Sequence, residues 1–332
     1  MEIQKTAELP AGKKMKKNKI NSSLLQQILA FASLIVLFLF FSVASSNFYQ
    51  FDNIVGILLS TAVTGILALG ATMIIVTSGI DLSCGTVMTL SSVMAGVFTI
   101  QHGFPIWLGI LGGVLTGAVA GLLSGLAIAK MKIPPFIATL AMMMVAKGLS
   151  LVITNASPIY FSPKPGFQKM AMGTLIPGIP NAVLIFFVMA IIASLILSKT
   201  ILGRYTFALG SNEEATRLSG VNVNKWKIMI YMLAGVFTGI AGIVMASRLD
   251  SAQPALGEGY ELQAIAAVVI GGTSLSGGTG TILGTVIGAL IMSVLTNGLQ
   301  ILSVPDQWQT VVVGIVIILA VYSDTLRNKK SR

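Results

Sequence analysis

The chain is a succession of long apolar stretches separated by short polar ones. A bilayer core needs about 20 apolar residues in a helix, and ten stretches approach that length, of which the third and the eighth are short. The predicted spans are residues 24–45, 52–77, 84–101, 106–130, 135–154, 180–199, 226–247, 260–274, 279–302 and 307–323. The pattern therefore predicts an all-α membrane protein, a polytopic bundle of about ten transmembrane helices.

The spans lie between two basic tails. We expect a tail over residues 1–23, a transmembrane domain over 24–325 that contains a polar segment at 200–226, and a second tail over 326–332. The first apolar run follows a lysine cluster, as in a signal peptide, but no small-residue cleavage pattern stands out after it. We therefore predict a retained anchor rather than a cleaved leader.

Composition and charge agree with this prediction. Of the 332 residues, 55% are hydrophobic and only 10% are charged, too few charges to cover a soluble globule of this size. The net charge is +10, and 17 of the 21 basic residues fall in the two tails and in the segments 130–132 and 199–227. The positive-inside rule places these segments and both termini in the cytoplasm. This distribution indicates a protein of the cytoplasmic membrane and gives no support to nucleic-acid binding.

Few residues are suited to chemistry. One cysteine, Cys84, and one histidine, His102, cannot form an internal disulfide or a multi-histidine metal site. The sequence has no phosphate-binding loop, no nucleophile elbow and no evident pair of membrane-embedded carboxylates. We therefore expect no catalytic residue, no metal and no cofactor, and ATP hydrolysis, if required, in another chain.

Two charged residues are candidates for ion coupling, which usually needs titratable groups near the bilayer midplane. Asp81 lies in a turn predicted to be cytoplasmic, where its carboxylate either caps the next helix or serves transport. Lys147 lies about two turns from the outer end of its span, and extends outward or faces the bundle interior. Neither residue makes a convincing proton relay.

Glycines recur every four residues in the fourth span, at Gly109, Gly113, Gly117, Gly121 and Gly125. Such a groove lets another helix approach closely, either within the bundle or at a subunit interface. A second regularity is the likeness between "GIDLSCGT" (79–86) and "GTSLSGGT" (272–279). It indicates either an internal repeat or two turns with ordinary turn residues.

The longest polar interruption is "LGRYTFALGSNEEATRLSGVNVNKWK", residues 202–227. It predicts a short helix with Ser211 as N-cap, acidic residues in the first turn, Arg217 near the end and Gly220 as the stop. So short a helix is not stable alone. Charges of both signs suit a groove in another protein, and a solvated loop is the alternative.

Outer segments contain polar residues with few charges. Asn155, Ser157, Tyr160, Gln253 and Tyr260 offer hydroxyl, amide and aromatic groups of the kind that handle a neutral polyol. Simple capping of helices explains the same composition.

Five segments of the chain are distinctive: "SGIDLSCGTVMTLSSVMAG", "IPPFIATLAMMM", "LGRYTFALGSNEEATRLSGVNVNKWK", "SAQPALGEGYELQAIAAVVIGGTSLSGG" and "GTVIGALIMSVLTNGLQ". Together they resemble the signature blocks of ribose-type sugar permeases of ABC transporters. The resemblance extends in order over about residues 55–324, and the ribose permeases look nearest. It implies a pair of permease subunits, a cytoplasmic ATPase that carries the nucleotide sites, and an extracytoplasmic binding protein that delivers the monosaccharide.

The resemblance also implies site residues. It makes the short helix at 211–218 the coupling helix, seated in a groove of the ATPase. The matching coupling residues are Gly203, Arg204, Asn212, Glu213, Glu214, Arg217, Leu218 and Gly220. The candidates for the translocation path are Asp81, Ser83, Phe136, Thr139, Asn155, Gln253, Tyr260, Glu261 and Asn297.

Four positions depart from the usual pattern of that family. Lys147 replaces arginine, Cys84 valine, Glu258 threonine and Gln263 aspartate. The exchange of an acid at 263 for one at 258 leaves other cargoes open, among them galactose, xylose or a furanose signalling molecule. An ion-coupled secondary transporter is a rival of another class, and an intramembrane enzyme or a structural scaffold is more distant.

Overall fold

The computed structural model describes residues 22–331, which form thirteen α-helices and one pair of very short strands. The helices are α1 (Ser22–Ala44), α2 (Phe51–Val76), α3 (Cys84–Gly96), α4 (Ile106–Ala129), α5 (Pro135–Thr154), α6 (Gly166–Met172), α7 (Asn181–Lys199), α8 (Ile201–Ser211), α9 (Glu213–Leu218), α10 (Val223–Leu249), α11 (Tyr260–Ile270), α12 (Ile282–Ile301) and α13 (Asp306–Ser331). Strands β1 (Ile159–Tyr160) and β2 (Ser251–Ala252) pair antiparallel. The predicted all-α polytopic fold is confirmed, and most of the N-terminal tail predicted for residues 1–23 lies outside the described residues.

Nine helices within this part of the chain are long and apolar enough to cross a bilayer. Helix α3 reaches 18 residues only because a π-helical turn at Val97–Gln101 continues it. The eighth predicted span differs, since α11 has 11 residues, or about 16 Å, roughly half of a bilayer core. It ends before Gly271, where a side chain would collide with the backbone of Gly284, and Gly272 adopts a left-handed φ of 91°.

Burial separates central helices from peripheral ones. In the most apolar window of α2, 72% of the residues are buried, against 11% for α1 and 6% for α13. Helices α3, α10 and α12 are also mostly buried. The core therefore forms around α2 and α10, and α1 and α13 present most of their apolar side chains to the surroundings, as lipid-facing helices do.

Helix α4 packs against α10 through the predicted glycine groove. A Cβ at Gly117 would collide with the carbonyl oxygen of Gly235, one at Gly121 with the carbonyl of Tyr231, and one at Gly125 with the backbone of Ile228. The two backbones are therefore in contact. Because lipid supplies no hydrophobic drive for helices to associate, this close packing is what holds α4 and α10 together. In this chain the groove serves packing within one bundle.

One end of the bundle collects the segments predicted to be cytoplasmic. Lys132 Nζ donates to Asn224 Oδ1 (3.1 Å), which joins the α4–α5 loop to the start of α10. The Ser78 hydroxyl donates to the Ser276 carbonyl (2.8 Å), so the two similar turns of the sequence lie side by side. We call this end, formed by residues 130–134, 199–227 and 271–281, the basic end.

The glycine contact predicts the effect of a larger residue. Gly117→Leu will lower the thermal unfolding midpoint and the yield of folded protein in detergent, because overpacking a rigid contact costs about 1–3 kcal/mol or more. Gly148→Leu on α5 is the matched control, since a Cβ there has no atom within 4 Å. Equal unfolding midpoints for the two variants would show that α4 and α10 do not touch in the native protein.

Candidate functional site

The first candidate site is the polar surface of α8 and α9 on the basic end. Three side chains cap the successive helices: Thr200 accepts from Gly203 N (3.3 Å), Asn212 from Ala215 N (2.9 Å) and Asn222 from Lys225 N (3.0 Å). The predicted cap of the short helix was wrong by one residue, because Ser211 is the last residue of α8. Asn212 has the extended backbone that an N-cap needs.

Ion pairs hold α9 in place. Arg217 contacts Glu213 (3.2 Å) and Glu214 (3.1 Å) within the helix, and Lys227 Nζ on α10 contacts Glu213 Oε2 (2.6 Å). The Lys227 side chain is only 18% exposed, so this last pair is better shielded from solvent than the other two. Helix α9 is therefore fixed to the first turns of α10.

The eight predicted coupling residues divide into supporting and displayed groups. Gly203 is buried against the backbone of Leu197, and Gly220 has a φ of 82° in the turn after α9. Leu218 is 80% exposed at the end of α9, an unusual place for a leucine on a charged surface. The displayed side chains are those of Arg204, Glu214, Arg217 and Leu218.

The second candidate site is a polar cluster inside the bundle. Between α2 and α3 the chain is not helical, and there Asp81 Oδ1 accepts hydrogen bonds from Ser83 N (2.8 Å) and Ser83 Oγ (2.6 Å). Leu82 N donates to Thr139 Oγ1 on α5 (3.2 Å). Irregular backbone at such a place needs these partners, because its polar groups have no helix to satisfy them.

A second carboxylate approaches the same place. Glu261, in the first turn of α11, is 8% exposed; its Oε1 accepts from Gly259 N (3.1 Å), and Oε2 has no hydrogen-bond partner among the described residues. Its side chain lies against Gly85 and interacts electrostatically with Asp81. The fold therefore brings Glu261 to the start of α3, near Asp81, although 180 residues separate the two carboxylates in the sequence.

The remaining path candidates do not join this cluster. Asn297 exchanges hydrogen bonds with Asn53 (2.9 and 3.0 Å), Gln253 donates to Ser251 Oγ (3.0 Å), and Asn155 caps the end of α5 with a left-handed φ of 50°. Phe136 is 51% exposed on α5. Of the nine candidates, the interior cluster contains Asp81, Ser83, Thr139 and Glu261, and Tyr260 lines a separate cavity.

An ion pair that the sequence did not predict lies beside the cluster. Lys147 Nζ on α5 contacts Glu258 Oε1, in the segment before α11, at 2.5 Å. Glu258 also borders the cavity that Tyr260 and Gln263 line. Lys147, Glu258 and Gln263, three of the four departures from the family pattern, therefore lie in one region. The sequence showed them only as separate positions.

Within residues 22–331, no group of three or more His, Cys, Asp or Glu side chains is placed to hold a metal ion. The polar features are thus a hydrogen-bonded interior, a cavity of 650 Å³ and a charged short helix on the basic end. A bundle of membrane-spanning helices with these features has the construction of a membrane transport protein.

The chain belongs to the family described as branched-chain amino acid transport system / permease component, which matches residues 53–321. It is 45% identical over 305 residues to the ribose import permease protein RbsC of Escherichia coli (strain K12), with 90% of this chain and 92% of that protein covered. The same-named protein of Bacillus subtilis (strain 168) is 45% identical over 308 residues, with 92% and 94% covered. The xylose transport system permease protein XylH of Haemophilus influenzae is 35% identical, with 94% and 99% covered.

These comparisons confirm the family resemblance inferred from the sequence. The chain is a multi-pass membrane permease, and the relatives span its length almost completely.

The interior hydrogen bonds predict a graded response at position 81. Asp81→Ala removes the acceptor of both Ser83 bonds and will lower thermal stability in detergent, since a hydrogen bond to a charged group contributes about 1.5–3 kcal/mol. Asp81→Asn keeps one acceptor oxygen, so it will lose less thermal stability than Asp81→Ala. Ser83→Ala removes only the hydrogen bond from Ser83 Oγ and leaves the one from Ser83 N to Asp81. If Ser83→Ala lost as much stability as Asp81→Ala, the hydrogen bond from Ser83 N would be contradicted.

Proposed function

We propose that this chain is the membrane-spanning subunit of an ATP-driven importer for ribose or a similar monosaccharide. The observation that carries the proposal is the 45% identity over 90% of the chain to ribose import permeases. The xylose permease is less similar, at 35% identity, so ribose is preferred to xylose. The interior supports a neutral cargo, because its hydroxyl and amide groups outnumber its charges.

The proposed assembly contains two copies of the permease, a separate ATPase and a sugar-binding protein. The ATPase would supply hydrolysis, for which the sequence offers no phosphate-binding loop. Positive charge favours the basic end and both termini on the cytoplasmic side of the cell membrane. The binding protein would then meet the opposite end, at β1 and β2.

The docking site for the ATPase is proposed to be α9 within the segment 200–226. Its ion pair with Lys227 links it to the start of α10, so a displacement of α9 would be passed on to that helix. Arg204, Glu214, Arg217 and Leu218 are exposed and would contact the partner. An exposed leucine among charges is the kind of apolar anchor around which polar contacts give orientation.

The translocation path is proposed to run beside the interior cluster. Asp81, Ser83, Thr139 and Glu261 meet where the backbone of the 77–83 segment is unwound and α11 is short. Discontinuous helices at mid-depth are a recurrent feature of transport sites, because they expose backbone and side-chain polar groups. Phe136, Asn155, Gln253 and Asn297 are proposed to contact the sugar only at other stages of transport.

Reconstitution tests the function. Proteoliposomes will contain the chain with its basic end and its cognate ATPase facing the lumen, and the binding protein will be added outside. With ATP in the lumen they will accumulate labelled ribose, and they will accumulate xylose more slowly. The chain alone, under a proton or sodium gradient, will accumulate neither. Gradient-driven uptake by the chain alone would instead establish the ion-coupled rival, for which Asp81 and Glu261 would be the first residues to examine.

The docking proposal predicts uncoupling without unfolding. In the assembled importer, Arg217→Glu and Leu218→Ala will reduce ribose uptake by about tenfold or more, while ATP hydrolysis continues. The thermal unfolding midpoint will stay within about 1 °C for Leu218→Ala and will fall slightly further for Arg217→Glu, which loses the ion pairs with Glu213 and Glu214. Leu175→Ala is the matched control, because Leu175 is equally exposed, at 80%, on the opposite end. Normal uptake by both α9 variants would contradict the assignment of α9.

A further inference from the structure

A polar cavity with a volume of 650 Å³ lies between α2, α11, α12 and α13. Small-molecule sites usually measure about 300–1,000 Å³. One face of α13 forms its longest wall, through Asp306, Gln309, Thr310, Val313, Gly314 and Ile317. These positions recur every three or four residues, so they form a continuous stripe along the helix.

The cavity begins at the end opposite the basic end and reaches about halfway across the bundle. From Asp306 to Ile317 the wall of α13 covers 11 residues, or about 16 Å, against about 30 Å for a bilayer core. Its α13 wall is polar near the start of the helix and apolar deeper down. The first turn of α11 lines it at Tyr260 and Gln263.

The lining has the chemistry of a site for a neutral hydroxylated ligand. The side-chain amides of Gln263 and Gln300 make no hydrogen bond within the described residues, so each offers donors and an acceptor to a ligand. Ser60 and Thr296 contribute hydroxyl groups, and Tyr260 contributes an aromatic ring. An acyl chain is a poor occupant, because it would leave these polar groups unsatisfied.

Charge in the cavity is partly neutralised from outside it. Glu258 borders the cavity, but its carboxylate contacts Lys147 of α5 at 2.5 Å. Asp306 Oδ1 accepts from Gln309 Nε2 (3.1 Å), which orients that carboxylate at the start of α13. The Glu258 charge is therefore balanced, and the lining is otherwise uncharged except for Asp306 at the start of α13.

The cavity and the interior cluster are neighbours across one helical turn. Tyr260 lines the cavity, whereas the next residue, Glu261, lies against Gly85 at the start of α3. Consecutive residues point to different sides of a helix, so the first turn of α11 forms the wall between the two places.

We propose that this cavity is a binding vestibule for a neutral, polyhydroxylated ligand of monosaccharide size, located within a single permease subunit. This inference rests on the proposed function and adds a binding site to it. The amides of Gln263 and Gln300 donate to and accept from ligand hydroxyl groups, Tyr260 supports a ring face, and the apolar depth near Ile317 limits further entry until α11 moves.

Thiol labelling tests occupancy without transport. The chain has one cysteine, Cys84, which is buried, so an added thiol can be followed by itself. In the purified full-length permease, Gly314→Cys will react with a small water-soluble maleimide, and millimolar ribose or xylose will slow the reaction at least threefold. The same osmolarity of glycine betaine, which has no hydroxyl group, will leave the rate unchanged.

Leu175→Cys, on the same end but outside the cavity, is the labelling control, and sugar will not slow its reaction. Equal rates at Gly314→Cys with and without either sugar would overturn the vestibule. A Gly314→Cys thiol that does not react, while Leu175→Cys does, would also overturn it, because the proposal requires an open cavity.

Filling the cavity tests its role in the assembled importer. A Cβ at Gly314 has no atom within 4 Å, so Gly314→Phe will occupy the space without displacing the backbone and will reduce ribose uptake about tenfold. Gly56→Phe, at an equally open position on α2 that does not line the cavity, will keep uptake within about twofold. Gln263→Leu and Gln300→Leu will raise KM more than they lower the maximal rate.

The outcomes separate the two proposals. A wild-type importer that fails to transport ribose or another monosaccharide contradicts the proposed function. Wild-type transport that persists unchanged in Gly314→Phe contradicts the vestibule alone.

Discussion

The structure depends on the contact between α4 and α10, in which backbone meets backbone. Lipid tails are as apolar as leucine, so exchanging a lipid contact for a helix contact gains little free energy unless the helix surfaces fit closely. Gly117, Gly121 and Gly235 supply that fit by having no side chain where the helices cross. Helices α2 and α3 pack on the α4–α10 pair, and α12 packs in turn on α2. Polar groups are enclosed among these helices.

That frame makes room for irregular backbone in the interior. The 77–83 segment and the short helix α11 leave peptide groups without helical partners, a condition tolerated in a bilayer only where protein or a cavity surrounds them. Asp81 and Thr139 satisfy part of the first segment, and Glu261 bonds to the backbone before α11. The same departures from helix that cost stability place polar groups inside the bundle, which unbroken helices would not expose there.

The charged end and the interior are connected mechanically through α10. Lys227 fixes α9 to the start of this helix, and Tyr231, one turn further, lies against Gly79 in the unwound segment. Helix α10 therefore runs without a break from the contact with α9 to the neighbourhood of Asp81. The short α11 does not extend across the bundle, and its first turn separates the cluster from the cavity along α13.

The sequence by itself determined the membrane class, nine of the ten long spans, the family and the location of the charged segment. These features are local: apolar length, glycine spacing and basic clusters can each be read within a few dozen residues. The tertiary structure alone decided that α11 stops at Ile270, that Glu261 lies near Asp81, and that Glu258 meets Lys147. Those outcomes depend on contacts between residues 13 to 180 positions apart, such as Gly271 against Gly284. No local pattern encodes them, because they follow from how closely the helices pack.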